Sequence, residues 1–172
     1  MVVFDGSGAA IPPVQTDARI LVSGTGHDPL SYLNPYRVLV SDLVVLVGGG
    51  DASAVRELKQ IPVLDAELRL RPVSPLEGKR VAVFTTGPAA VDHIDADVVA
   101  VSRDLANRPR LAEALAATDA DVYLVEIKAA AIDLVAEAAL QRGVEVIFAE
   151  NEVLCPGLDE AVLGLVPTRA HA

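Results

Sequence analysis

Short apolar runs alternate with helical segments in the second half of the chain, and this alternation limits the fold more than any other feature. The apolar runs, rich in β-branched residues, are RVAVF at 80–84, DVVAV at 97–101, DVYLV at 121–125 and VEVIFA at 144–149. Such runs are typical of strands covered on both faces. Because strand–helix–strand units form parallel strands with right-handed crossovers, a mainly parallel sheet flanked by helices is predicted from about Gly78 onward.

The clearest helical pattern lies in AAAIDLVAEAALQRG, at 129–143. Its apolar positions recur at helical spacing, and they are Ile132, Val135, Ala136, Ala139 and Leu140. This stripe predicts one buried helix face, and Gly143 predicts the end of the helix. Another helix is predicted at 108–118, and a last one from about Leu158.

The first half is less regular. Strands are predicted at 2–4 and 18–24, and in LVVLVGGG at 43–50. A short helix is predicted in PYRVLVSD, and a second helix in DASAVRELKQI, which begins with Asp51 as its N-cap. AELRLRPV at 66–73 alternates polar and apolar residues until Pro72 and Pro75 interrupt it. We therefore predict two domains, at 1–71 and 72–172.

Composition excludes several classes of partner. The net charge of −10 and the six aromatic residues, three Tyr and three Phe with no Trp, argue against nucleic acid as a partner. The longest uncharged apolar stretch, 43–50, is far shorter than the ~20 residues that a membrane span needs. One cysteine, Cys155, cannot form an internal disulfide, so a reducing compartment, the cytoplasm, is expected. Whether the chain forms a homo-oligomer is left open by its sequence.

Familiar nucleotide and catalytic motifs are missing from the sequence. Gly6-Ser7-Gly8 cannot open a dinucleotide-binding helix because Pro12 and Pro13 follow it. The pattern G-x-x-x-x-G-K-[ST] does not occur, and the single Gly-Lys pair is followed by Arg80. The three histidines and Cys155 lack zinc-ligand spacing, and no serine or cysteine catalytic arrangement can be recognised.

Polar or glycine residues follow every predicted strand. They are Asp5, Gly6, Ser7 and Gly8, then Thr85, Thr86 and Gly87, then Ser102 and Arg103, then Glu126 and Lys128, and finally Glu150 and Asn151. Open α/β sheets bind ligands at the carboxyl ends of their strands. Each position is equally compatible with an ordinary surface turn. Asp5 ends an apolar strand, as does the carboxylate that holds Mg²⁺ in P-loop enzymes, although Asp-Gly is also common in turns.

Several longer stretches carry a family resemblance. FDGSGAAIPPV, LNPYRVLVSDLVVLV, EGKRVAVFTT, VSRDLANR and above all VYLVEIKAAAIDLVAEAA resemble the C-terminal half of cyclic 2,3-diphosphoglycerate synthetases. The resemblance extends over nearly the whole chain. It implies an α/β fold in which 1–71 are the end of a P-loop nucleotide domain similar to that of dethiobiotin synthetase, and 72–172 form an α/β C-terminal domain. Members of the family have a long N-terminal half with the P-loop, so the chain resembles a fragment, a split-gene subunit that a separate P-loop polypeptide completes, or an isolated domain.

Closure of 2,3-diphosphoglycerate to its cyclic phosphoanhydride, driven by ATP with Mg²⁺, is the activity that the resemblance implies. The resemblance also implies that Asp5 is the Mg²⁺ ligand and that the backbone of Gly6, Ser7 and Gly8 approaches the phosphates.

A polyanionic substrate needs cations. Lys128 is the first candidate, because the helix dipole disfavours a lysine in the first turn unless the lysine and the helix start bind the same anion. Glu126 would orient Lys128 or bind a water molecule of Mg²⁺. Arg37 and Arg103 are candidate phosphate clamps. Each of these residues can also be read as an ordinary surface side chain.

Three classes of function are therefore compatible with the sequence. The first is the C-terminal portion of an ATP-dependent synthetase, which is inactive without its P-loop half. The second is a non-catalytic binding module for a phosphorylated metabolite or nucleotide. The third is an interaction domain in which the residues at the strand ends only form turns.

Overall fold

A computed structural model describes residues 2–6, 14–24, 28, 30–31, 34–87, 90–127 and 131–166. Seven strands and five helices lie in these residues. In chain order they are β1 (Ile20–Ser23), α1 (Asn34–Val40), β2 (Leu43–Val47), α2 (Ala52–Leu58), β3 (Val63–Pro72), β4 (Arg80–Phe84), β5 (Asp97–Ser102), α3 (Arg108–Ala117), β6 (Val122–Glu126), α4 (Ile132–Arg142), β7 (Glu145–Leu154) and α5 (Leu158–Leu165). In the described residues no helix is both long and apolar enough to cross a bilayer.

The chain divides into two compact units, residues 1–66 with 155–172 and residues 67–154. The boundary falls inside β3, and α5 belongs to the first unit, whereas the sequence predicted a boundary between 71 and 72. Pro72 ends β3, because a terminal strand position tolerates a residue without an N–H.

The first unit is a parallel ladder of β1, β2 and the beginning of β3, with β2 in the centre. Val44 and Leu46 of β2 face α1 and α2, where Val38 and Val55 are buried. Leu43 and Val45 face the other way, towards α5. Cover on both faces explains why β2 is continuously apolar, as the sequence predicted.

Helix α2 begins as predicted. The Asp51 Oδ1 atom accepts hydrogen bonds from the backbone N–H groups of Ser53 and Ala54, both at 3.0 Å. These bonds satisfy two of the amides that a helix start leaves without a helical partner.

The predicted strand at 2–4 does not form. Val2, Val3 and Phe4 lie outside any strand, with exposed fractions of 77%, 79% and 54%. A strand persists only where a neighbouring strand takes up its backbone hydrogen bonds, and no described strand pairs with this segment. The prediction of a buried strand at 2–4 was therefore wrong.

The second unit has the strand order β3-β7-β6-β4-β5. The pairs β7–β6, β6–β4 and β4–β5 are parallel, and β3–β7 is antiparallel. The prediction of a mainly parallel sheet from about Gly78 is confirmed. Strand β7 has two partners, because its residues 145–149 pair with β6 and its residues 149–154 pair with β3.

Each face of this sheet has its own core. On one face, α3 and α4 bury Leu111, Leu115 and Val135 against Phe84 and Tyr123. On the other face, the connection from β4 to β5 and the segment before β4 cover the sheet, and they contribute Ile94 and Leu76. Helices therefore cover one face, and irregular chain covers much of the other.

Helix α4 confirms most of the predicted stripe. Val135 and Ala139 are fully or almost fully buried, and Gly143 ends the helix in the left-handed conformation at φ 67°. Leu140 was predicted to be buried and is 83% exposed. The buried face runs through Ala131, Val135 and Ala139, and one further residue rotates the side chain by about 100°, away from the sheet.

Candidate functional site at the ends of β4 and β6

Strands β4 and β6 are neighbours in the sheet, although β5 and α3 lie between them in the chain. From β4 the chain passes to β5 on the face that Ile94 covers, and from β6 it passes to β7 through α4 on the opposite face. The connections therefore diverge from two adjacent strands. In open α/β sheets the crevice at such a switch point, beyond the carboxyl ends of the strands, is the usual ligand site.

Glu126 is the last residue of β6 and lies at this crevice with an exposed fraction of 9%. Its Oε2 atom accepts hydrogen bonds from the Thr85 hydroxyl at 2.7 Å, the Thr86 N–H at 2.6 Å and the Thr86 hydroxyl at 2.9 Å. Its Oε1 atom accepts a bond from the Asn151 side-chain amide at 2.7 Å. One carboxylate thus joins the ends of β4 and β6 to β7.

Strand periodicity explains why these side chains meet. Val122 and Leu124 of β6 lie in the core that contains Ile94, so Glu126, two residues further, points to the same face. Val81 and Val83 place Thr85 on that face by the same rule, and Ile147 and Ala149 do so for Asn151. Parallel pairing then aligns the carboxyl ends of β4 and β6.

Opposing influences act on the pKa of the Glu126 carboxyl group. Burial is the largest single influence and raises the pKa, but the Thr86 N–H, the Asn151 amide and the two threonine hydroxyls together lower it below the ordinary value. The carboxylate is therefore ionised at neutral pH. Its charge is stabilised by neutral donors, because no described residue forms an ion pair with it.

The loop after β5 is held against the same site. The Thr85 N–H donates to the Ser102 carbonyl at 2.9 Å, and the Leu105 N–H donates to the Thr85 carbonyl at 3.2 Å. Arg103 lies between these two anchors and is exposed. The structure thus brings two of the predicted site residues, Glu126 and Arg103, to one edge of the second unit.

Lys128 lies outside the described residues. Ile127, the last described residue before it, donates its N–H to the Ala149 carbonyl at 2.8 Å. Helix α4 begins at Ile132, after Ala131 in the N-cap position. The placement of Lys128 in the first helical turn therefore falls on undescribed chain, ahead of the described helix.

The remaining predicted site residues belong to the first unit. Asp5 and Gly6 are exposed, whereas Ser7 and Gly8 lie outside the described residues. Arg37 lies in α1, where its guanidinium donates to Asn34 Oδ1 at 3.4 Å. No group of three or more His, Cys, Asp or Glu side chains arranged to hold a metal occurs in the described part of the chain.

Thr85, Thr86 and Asn151 were recognised as strand-end residues but were not predicted to belong to the site. All three residues donate hydrogen bonds to Glu126, and this shared partner was not predicted from the sequence. The polar positions were visible in the sequence, but their meeting at Glu126 depends on the strand order, in which β6 lies between β4 and β7.

Comparison with known proteins identifies both parts of the chain. Residues 1–66 match the family model of the P-loop domain of cyclic 2,3-diphosphoglycerate synthetase, and residues 72–152 match the model of its C-terminal domain. The chain belongs to the cyclic 2,3-diphosphoglycerate synthetase family. The predicted resemblance is thereby confirmed. Glu126 and its donors Thr85, Thr86 and Asn151, the Glu126 cluster, lie within the region that matches the family's C-terminal domain.

Curated relatives carry the same family name. The cyclic 2,3-diphosphoglycerate synthetase of Rubrobacter xylanophilus is 44% identical, in an alignment that covers 95% of this chain and 42% of the relative. Those of Thermococcus kodakarensis and Methanothermobacter thermautotrophicus are 34% and 33% identical, over 88% and 96% of this chain and 40% and 42% of their own lengths. The chain thus spans about two fifths of these relatives.

Proposed function

We propose that this chain is the C-terminal portion of an ATP-dependent cyclic 2,3-diphosphoglycerate synthetase and acts together with the P-loop half of the enzyme. The observation that carries the proposal is the match of both domain models, in order, along one chain. The P-loop domain match implies nucleotide binding, but the sequence lacks the pattern G-x-x-x-x-G-K-[ST]. The phosphate cradle must therefore come from a further segment.

The reaction sets clear chemical demands. The γ-phosphoryl group of ATP would transfer to one phosphate of 2,3-diphosphoglycerate, and ADP would leave. An oxygen of the neighbouring phosphate would then attack the phosphorus of the first phosphate, forming the P–O–P bond and releasing inorganic phosphate. Both steps bring anionic oxygens together, so catalysis requires alignment and positive charge.

In this proposal Lys128 and Arg103 supply positive charge at the switch point. Arg103 is exposed and follows β5, and Lys128 follows Glu126 by two residues. Glu126 acts by positioning, since its two oxygens already accept four hydrogen bonds from the protein. The carboxylate fixes the start of the loop that carries Lys128 relative to the loop after β4.

The first unit would serve the nucleotide. Asp5 is an exposed carboxylate, a donor suited to Mg²⁺, which often takes one or two carboxylates together with substrate phosphates. When bound, Mg²⁺ would neutralise phosphate charge. Gly6, Ser7 and Gly8 would present backbone N–H groups, and Arg37 would bind a phosphate.

The proposal is tested by co-expressing the chain with the portion of the Rubrobacter xylanophilus synthetase that precedes the matched region. Formation of the cyclic product is followed by ³¹P NMR, and ADP release is followed in parallel. Lys128→Ala should lower cyclisation about 100-fold or more while ATP binding is retained. Lys79→Ala is the matched control, because Lys79 forms an exposed ion pair with Glu145 at the amino ends of β4 and β7, whereas the site lies at the carboxyl ends of β4 and β6.

Two outcomes would contradict the proposal. Wild-type cyclisation in Lys128→Ala would remove that residue from the site. Binding of 2,3-diphosphoglycerate by the completed protein with no cyclisation would instead indicate the non-catalytic binding module.

A further inference from the structure

Helices α3 and α4 are joined at their starts by an ion pair. Arg108, the first residue of α3, donates from Nη1 and Nη2 to the two carboxylate oxygens of Asp133, the second residue of α4, at 2.9 and 2.8 Å. Two parallel bonds fix the relative orientation of the two groups. The hydrogen bonds from Arg108 lower the pKa of the Asp133 carboxyl group, so the carboxylate is ionised at neutral pH.

Both helix starts lie at the carboxyl edge of the sheet of the second unit, because α3 follows β5 and α4 follows β6. Strand β4 lies between β5 and β6. The pair therefore connects two chain segments whose strands are about 10 Å apart. Glu126 lies at the same edge, at the end of β6.

The connection that carries Lys128 is anchored at both ends. At its beginning, the Ile127 N–H donates to the Ala149 carbonyl at 2.8 Å. At its end, Ala131 occupies the N-cap position of α4, and no side-chain hydrogen bond caps the helix. Asp133 instead bonds the start of α4 to α3.

The first turn of α3 carries two arginines, Arg108 and Arg110, and no acidic residue. The helix dipole favours acidic residues at a helix start and disfavours cations there. Asp133 supplies the negative charge that Arg108 lacks within its own helix, and Asp104 lies 3.7 Å from Arg110. The preference of an isolated helix start therefore does not explain Arg108, whereas the contact with α4 does.

We infer that Asp133 is a positioning residue, which acts through Arg108 to hold the connection that carries Lys128 at a fixed separation from the loop that carries Arg103. Its effect on substrate binding rests on the proposed function. The loop after β5 leads directly into α3 through the N-cap residue Asn107. A substrate with two phosphate groups requires its cations at a matching separation, because misplaced groups weaken binding and slow the reaction.

Asp133→Asn distinguishes positioning from simple electrostatics by the sign of its effect. The substitution removes a negative charge near the proposed site of a polyanion, so electrostatics alone would strengthen substrate binding. Positioning predicts the opposite, because the Kd and KM for 2,3-diphosphoglycerate should rise about 10-fold while the KM for ATP is unchanged. Asp104→Asn is the matched control, since it removes the same charge from the same edge without breaking the pair, and it should leave binding unchanged or stronger.

These constants are measured on the full chain co-expressed with the portion of the Rubrobacter xylanophilus synthetase that precedes the matched region, by isothermal titration and steady-state kinetics. Arg108→Gln and the double variant with Asp133→Asn complete a double-mutant cycle. Because the two residues act as one unit, the double variant should bind no more weakly than the weaker single variant. Additive losses, or stronger binding by Asp133→Asn, would overturn the inference.

A second measurement does not depend on the proposed function. In the chain by itself, Asp133→Asn should speed hydrogen exchange at the amides of Ile127 and Leu134 by about 5-fold, whereas Asp104→Asn should not. Unchanged exchange at both amides would overturn the inference whatever the enzyme assay shows. Faster exchange in Asp133→Asn, with no cyclic product from the completed wild-type protein, would support the positioning of the connection and contradict the proposed function instead.

Discussion

The side-chain amide of Asn151 donates to Glu126 Oε1 over 2.7 Å, and this bond joins β7 to the end of β6. With the three bonds from Thr85 and Thr86, it completes the set of donors around a buried carboxylate. Because the carboxylate belongs to β6 and its donors come from the end of β4 and from β7, it contributes to stability as well as to the proposed site.

Glu126→Gln should lower the free energy of unfolding by about 1–3 kcal/mol. The uncharged amide accepts weaker hydrogen bonds, and its NH₂ group would face another donor at one of the two positions. The measurement is urea denaturation at pH 7. Glu145→Gln changes an exposed carboxylate paired with Lys79 and should cost less than about 0.5 kcal/mol. Equal effects of the two substitutions would show that the Glu126 network adds no stability.

The contribution of Glu126 should depend on pH. Its pKa is lowered in the folded protein, so the folded state binds the proton less readily than the unfolded state. The stabilisation is therefore complete above the ordinary pKa of about 4.5 and is lost as the pH falls through the lower folded value. The stability difference between wild type and Glu126→Gln, measured by urea denaturation, should shrink below pH 4.5. A difference that grows on acidification would reverse the assigned direction of the pKa shift.

Asn151→Asp should destabilise the protein at pH 7, because it replaces a donor to Glu126 with a second carboxylate. Like charges at this distance raise the pKa of one carboxyl group, so stability should recover as the pH falls towards 5. Asn151→Ala removes the donor without adding charge and serves as the control. Identical pH profiles for the two variants would show that residue 151 does not interact with Glu126 in solution.

Arg142 provides a test of helix packing away from the site. Its guanidinium donates to the carbonyls of Leu115 and Thr118, at the end of α3, and to the Tyr123 hydroxyl. Arg142→Met should cost about 1–2 kcal/mol of unfolding free energy in thermal or urea denaturation, since these acceptors lose their partner. Arg110→Met, at an arginine with 71% side-chain exposure on the same helix pair, should have little effect.

The N-cap of α2 gives a prediction for the first unit. Asp51→Ala should lower stability by about 1 kcal/mol, whereas Asp51→Asn should be nearly neutral because an asparagine oxygen also accepts the N–H groups of Ser53 and Ala54. Circular dichroism during urea denaturation distinguishes the two variants. Equal losses would mean that the charge, and not the hydrogen bonds, stabilises this helix.

Local sequence signals predicted the elements whose faces are covered within their own unit. Strands β2, β4 and β6 were recognisable as continuous apolar runs because both of their faces are buried. The end of α4 was recognisable because Gly143 adopts a positive φ that other residues avoid. These features depend on neighbours close in the chain or on burial alone.

The predictions were wrong or incomplete where contacts between residues far apart in the chain determine the structure. Phe4 lies in a strand-like sequence, but a strand also requires a partner. The Glu126 cluster requires the order of β4, β6 and β7, which no local pattern specifies. Leu140 fitted the helical period, yet the position of the sheet places it on the outer side of α4.

Glu67 and Leu154, the first and last residues of the second unit, are direct partners in the β3–β7 pairing. Directly opposed residues have Cα atoms only about 5 Å apart. The two ends of the second unit are therefore close enough for a short linker to join them. Residues 67–154 therefore leave and rejoin the rest of the chain at neighbouring points of one strand pairing.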